Sequence, residues 1–83
     1  DYIERSVVVW EALEGKLIDL MEAITADFPD ATLFSLPSVG GEGLPRHIEL
    51  GMKGPAGRVD EAMARITAEI TRRGYAWEPR ADL

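Results

Sequence analysis

The chain carries a single histidine, His47, and no cysteine. Histidine is the side chain that ordinarily titrates near neutrality, so acid–base or nucleophilic catalysis would be sought there first. Ser35 and Ser38 lie on the strand and loop before it, and a Ser–His contact across a hairpin is the one nucleophilic arrangement on offer. Neither serine sits in the Gly-x-Ser-x-Gly elbow that exposes a nucleophile at a strand-to-helix turn. With no organised partner, His47 reads as a surface histidine and no catalytic residue is assigned. An enzyme acting alone through His47 and a serine is the weakest reading of the chain.

Anion binding has a different candidate. Gly51-Met52-Lys53-Gly54-Pro55-Ala56-Gly57 links a strand-like run to a helix start. Backbone N–H groups and the helix dipole there could hold an anion, with Lys53, Gly54 and Gly57 as the residues concerned. The run lacks the Gly-Lys-Ser/Thr of a phosphate-binding loop and does not match the dinucleotide fingerprint. A tight connection is the stronger reading, and Gly40-Gly41-Glu42-Gly43 reads as a flexible hairpin loop. Glu11, Glu14, Asp19, Glu22 and Asp27 form an acidic helix face without the ligand spacing of a calcium loop. They read as a solvated surface, so neither a metal nor a cofactor is assigned to the chain.

Composition narrows the partners. A net charge of −6 and a pI near 4.6 oppose phosphate-backbone binding, which depends on clustered Lys and Arg. Tyr75 and Trp77 raise base stacking, but Ile48-Glu49-Leu50-Gly51-Met52 has no aromatic and includes a carboxylate, so no nucleic acid is expected. Nothing approaches the roughly 20 apolar residues of a membrane span. The lack of cysteine suits a reducing cytoplasm, the expected location.

These residues must be positioned by a small set of elements. At 83 residues the chain reads as one domain, able to bury roughly 60–65% of its unfolded surface. Because it starts at Asp1, it reads as a piece excised from a longer protein. Residues 3–10 form a first strand whose Val7-Val8-Val9 run suits a central position. Leu13, Leu17, Leu20, Met21, Ile24 and Phe28 share one helical face, predicting a helix over 11–28 with Gly15 at a close approach to the sheet. Pro29 ends it. Residues 32–36 are a second strand stopped by Pro37. Residues 47–53 alternate cleanly, Ile48, Leu50 and Met52 pointing one way and His47, Glu49, Gly51 and Lys53 the other.

Gly54-Pro55-Ala56-Gly57 reads as a turn into a second helix that runs to about Arg73, with Val59, Met63, Ile66 and Ile70 on its buried face. Glu61 with Arg65 and Glu69 with Arg73 are favourable i,i+4 pairs. Gly74 suits the position just past the helix end. Residues 75–78 close the chain as a last strand before Pro79. The order predicts an α+β, ferredoxin-like βαββαβ sandwich, an antiparallel four-stranded sheet with two helices on one face. The other sheet face would then be bare. Should Trp10, Trp77 or Phe34 point to it, it would be a partner surface.

Glu14-Gly15-Lys16-Leu17, followed by Ala26-Asp27-Phe28-Pro29-Asp30-Ala31-Thr32-Leu33-Phe34-Ser35-Leu36-Pro37-Ser38, resembles a segment of the competence/damage-inducible protein A (CinA) family. That family is also described as molybdopterin-binding, and FAD synthetases carry a related region. In the family a helix ends in a Phe-Pro-Asp-Val type turn and leads to a strand closing in Gly-Ser-Tyr-Pro. Here Phe34 stands for that Gly and Leu36 for the Tyr.

The resemblance implies a small domain following a molybdenum-cofactor-biosynthesis-like domain, in a parent protein with nucleotide pyrophosphatase or nicotinamide-nucleotide amidase activity. Catalytic residues of that parent would lie in its other domains. The function so implied is a non-catalytic accessory module, contacting the preceding domain or a second copy through the free sheet face or the edge strand. The alternative is a free-standing ferredoxin-like sensor of small molecules, using the glycine-rich turns.

Overall fold

Alternation of apolar side chains along two nine-residue strands organises the molecule. The computed structural model describes residues 1–80. In chain order its elements are β1 (Tyr2–Trp10), α1 (Ile18–Asp27), β2 (Thr32–Ser38), β3 (His47–Pro55), α2 (Ala56–Arg72) and β4 (Trp77–Pro79). The four strands form one sheet in the order β2-β3-β1-β4, and every neighbouring pair is antiparallel. β3 therefore separates β1 from β2, and β1 separates β3 from β4. The architecture is α+β, a four-stranded antiparallel sheet with two helices.

The core lies on one side of that sheet. Val7 and Val9 of β1 and Ile48, Leu50 and Met52 of β3 meet Leu20 and Ile24 of α1 and Val59, Ala62, Met63, Ile66 and Ile70 of α2, all buried. Because side chains alternate along a strand, the intervening residues of β1 and β3 face away from both helices. Phe28, just past α1, is buried beneath two cations. The Arg58 guanidinium lies 4.4 Å and that of Arg65 5.5 Å from its ring centroid. Arg58 also donates to both carboxylate oxygens of Asp30 at 3.1 Å, so the Phe28-Pro29-Asp30 turn is clamped to α2.

Several expectations need correction. The first helix starts at Ile18, not Glu11, and is preceded only by a short 3-10 turn at Glu14–Lys16. Glu11 has φ 56°, outside helical geometry, and its N–H donates to the Arg46 carbonyl at 2.7 Å. Leu13 is consequently about half exposed, and Ala12 takes a buried place instead. Gly15 makes no close approach, since an added Cβ would meet nothing within 4 Å.

Pro37 does not stop the second strand, because β2 is an edge strand and proline is tolerated there. Residues 54–57 are no separate turn: β3 runs through Pro55 directly into α2. Glu61 pairs with Arg58 and Arg65 with Asp27, so the expected Glu61–Arg65 pair gives way to a link between the two helices. Glu69 does pair with Arg73. Gly74, at φ 91°, takes the left-handed position that ends α2. The last strand is Trp77–Pro79 and includes Pro79, again at a sheet edge.

Candidate functional site

The sheet face turned away from the helices carries the chemistry-bearing residues. Strand register sets them in rows. Ser38, His47 and Trp10 form one row; Leu36, Glu49, Val8 and Glu78 the next. Phe34, Gly51 and Ser6 follow, then Thr32, Lys53 and Glu4. No helix among the described residues covers this face. Trp10, Val8 and Phe34 are half-buried among their neighbours, and Leu36 is 57% exposed.

At its centre is a polar cluster. Glu49 is the one charged residue buried among those described. Its Oε2 accepts a hydrogen bond from the Ser6 hydroxyl at 2.8 Å, and its Oε1 accepts one from Arg80 Nη1. Arg80 reaches the cluster from just beyond β4, where its backbone N–H donates to the Ser6 carbonyl at 2.9 Å. A buried carboxylate requires such partners, because an unpaired one would lose its hydration without compensation. All of its sequence partners are distant, so nothing local in the sequence announces the cluster.

Beside it, Gly51 lets the face close up. An added Cβ there would lie 2.5 Å from the Arg5 carbonyl oxygen, 2.5 Å from Phe34 Cζ and 2.6 Å from Ser6 Cβ. Phe34 thus lies across the glycine on the neighbouring strand, a cross-strand contact that only a residue without a side chain permits. Phe34 thereby adds an aromatic ring to the free face.

The residues singled out from the sequence separate. His47 stacks edge-on against Trp10, with ring centroids 5.2 Å apart. Its Nδ1 lies 3.1 Å from the Pro45 carbonyl oxygen, which can only accept, so Nδ1 carries the proton. Ser38 is the register partner of His47, but its Oγ accepts the Gly40 N–H at 3.3 Å. Ser35 faces the other side of the sheet and donates to Glu14 at 2.6 Å. No Ser–His hydrogen bond forms among the described residues.

The three anion-site residues are not gathered either. Lys53 is exposed and points to the free face, opposite the side on which α2 lies. Gly54, at φ 153°, is packed against Ala31, where a Cβ would come within 3.0 Å. Gly57 stands in the open first turn of α2, whose leading N–H, that of Ala56, already donates to the Asp1 carbonyl.

Of the three aromatic residues proposed for the free face, Trp10 and Phe34 lie on it. Trp77 does not; its indole N–H donates to Thr71 Oγ1 at 2.8 Å on the helix side. A second depression lies between α1 and α2, lined by Asp19, Leu20, Ala23, Arg65, Glu69 and Arg73 among others. Its charges are mutually engaged: Arg73 donates to Asp19 at 2.6 Å and to Glu69 at 2.7 Å, and Arg72 to Glu69 at 2.6 Å. Those two guanidinium groups hold the Glu69 carboxyl down to about 2, and Arg73 holds Asp19 below its ordinary value. Such a clamp ties the two helices together.

No described helix is long and apolar enough to cross a membrane. No protein-family model matches the chain, and no curated protein matches it.

Proposed function

We propose that the chain is a ferredoxin-like interaction module that does no chemistry of its own and works through the uncovered face of its sheet. The observation that carries this reading is the make-up of that face. Trp10, Val8, Phe34 and Leu36 present apolar surface around the Glu49–Arg80–Ser6 cluster. A sheet face meant only for water would be expected to alternate to polar residues throughout. The strand order β2-β3-β1-β4 supports the fold name, since each βαβ unit is split by a strand of the other.

A CinA-like, molybdopterin- or nucleotide-related parent belongs to the same proposal and rests on the motif similarity over residues 14–50. The roles of the motif residues favour an accessory module. Phe28 is core and Asp30 clamps Arg58, while Ser35 anchors Glu14. These are architectural tasks, which suit a module that accompanies a catalytic domain without contributing to its site.

Carbene footprinting of the protein in extract of its own cells, compared with the purified chain, tests the reading. Labelling of Phe34, Leu36 and Trp10 is expected to fall in extract, while that of exposed Leu13, outside the sheet, stays constant. Equal labelling of the face in extract and in the purified chain at both low-micromolar and about 1 mM concentration would overturn it.

A further inference from the structure

We infer that the partner of the uncovered sheet face is a second copy of this chain, packed face to face about a two-fold axis parallel to the strands. The inference rests on the reading of that face as a contact surface, and adds the occupant.

Charge is the first argument. The chain carries a net charge of −6, so two copies repel over most of their surfaces. The free face holds Glu4, Glu49 and Glu78 against Lys53 and Arg80, and is therefore nearly neutral. It also presents Trp10, Val8, Phe34 and Leu36 around the Glu49 cluster, whose charge is already paired with Arg80. Of the surfaces described, it is one on which two such acidic molecules can meet without concentrating like charge.

Register supplies the second argument. β3 and β1 are the two central strands, and an axis between them lays β3 of one copy over β1 of the other while keeping each row level. Such an isologous contact requires a surface complementary to itself. In the row of Lys53 and Glu4, each lysine then faces the other copy's Glu4, giving a square of alternating charge. In the row of His47 and Trp10, the two ring pairs face one another in the same crossed fashion. Phe34 on β2 faces Arg80 beside β4, a cation over an aromatic ring that leaves the Glu49–Arg80 bond in place. Stacked sheets cross at about 30°, which long side chains at the outer rows can span.

Area sets the strength. Twenty-eight strand residues at about 3.3 Å by 4.8 Å each give on the order of 450 Å² of flat sheet, and side-chain relief adds to that. A standard interface buries about 800 Å² per partner, so the dimer belongs at the weak, concentration-dependent end.

Sedimentation equilibrium of the purified chain up to about 1 mM tests this directly. The unmodified chain is expected to dimerise reversibly. Glu4→Lys and Lys53→Glu each turn the mixed-charge square into four like charges, and each is expected to weaken self-association at least tenfold. Both positions are exposed, and a thermal melt of each variant checks that it is folded. Mixed in equal amounts, the two variants are expected to recover dimerisation as a heterodimer, one bringing a basic pair to the other's acidic pair. A partner other than a second copy would give no such rescue.

Leu36→Asp, which sets a carboxylate against Glu78 of the other copy, provides a further variant expected to weaken the dimer should either charge reversal melt early. A chain that stays monomeric to about 1 mM, or a mixture no tighter than its components, would overturn the inference. If protection of the face in cell extract survives that result, the interaction-module reading stands and only the second copy is lost. If protection is absent as well, both fall.

Discussion

The two faces of β3 differ although one run of residues builds both. Ile48, Leu50 and Met52 enter the core with 1% or less of their surface exposed, and each is an ordinary large apolar side chain. His47, Glu49, Gly51 and Lys53 turn the other way, and no two of them share a solution. His47 leans on Trp10, Glu49 is paired with Arg80 and accepts a hydrogen bond from Ser6, Gly51 is roofed by Phe34, and Lys53 is exposed. The helix side is held by non-directional burial, which tolerates exchange among apolar residues of similar volume. The free side is held by particular pairs across strands. A sheet face with no covering layer thus becomes ordered one contact at a time, and the surface left between those contacts is what a partner would meet.

This contrast can be broken most sharply at matched leucines. Leu50→Ala, at a fully buried position, is expected to cost about 2–5 kcal/mol, whereas Leu36→Ala on the free face should cost under about 1 kcal/mol in the monomer. Urea unfolding at low protein concentration measures both, and similar losses would mean that the two faces are equally covered.

A smaller effect sharpens the account of the free face. Gly51→Ala should destabilise by about 1–3 kcal/mol, because the new methyl meets the Arg5 carbonyl and Ser6 as well as the Phe34 ring. Combining it with Phe34→Ala should recover only part of the loss, since the backbone contact remains. Full recovery would place the whole constraint in the aromatic ring.

The smallest effect concerns the helix side alone. Arg72 and Arg73 hold the Glu69 carboxyl at about 2, below its ordinary 4.5. A carboxyl depressed in the folded state stabilises it above its unfolded value, and that contribution is lost as pH falls through the folded one. Melting temperature should therefore drop between about pH 4.5 and pH 2, and Glu69→Gln should flatten the drop. The exposure of the site makes this a modest change. An identical acid profile in Glu69→Gln would assign the acid lability to other groups.

Legibility in the sequence followed the range of the interactions. The alternation of β3 and the stripe of α2 are local patterns, and their boundaries and buried residues stood within a residue or two of expectation. The first helix was less readable. Its apolar spacing extends back to Leu13, but the Glu11 N–H bonds to Arg46, 35 positions away, and the chain leaves helical geometry there. Pro37 and Pro79 misled for a related reason: whether proline ends a strand depends on whether that strand lies at an edge, which only the strand order reveals. Of the candidate functional surface, Trp10 and Phe34 were visible as free-face aromatics. Trp77 was not separable from them, since its side depends on where a three-residue strand pairs.

By itself the sequence determined the kinds of element, their order and the apolar face of each, because periodicity and turn chemistry act over a few residues. It also determined what the chain lacks, a cysteine above all. Tertiary structure decided the rest. Pairing of β1 with β3 and β4 brought Ser6, Glu49 and Arg80 together across 43 and 31 positions, and pairing of β2 with β3 placed Phe34 over Gly51. The physical reason is that a buried charge and a roofed glycine gain meaning only from neighbours on other strands, and strand register is a property of the assembled sheet.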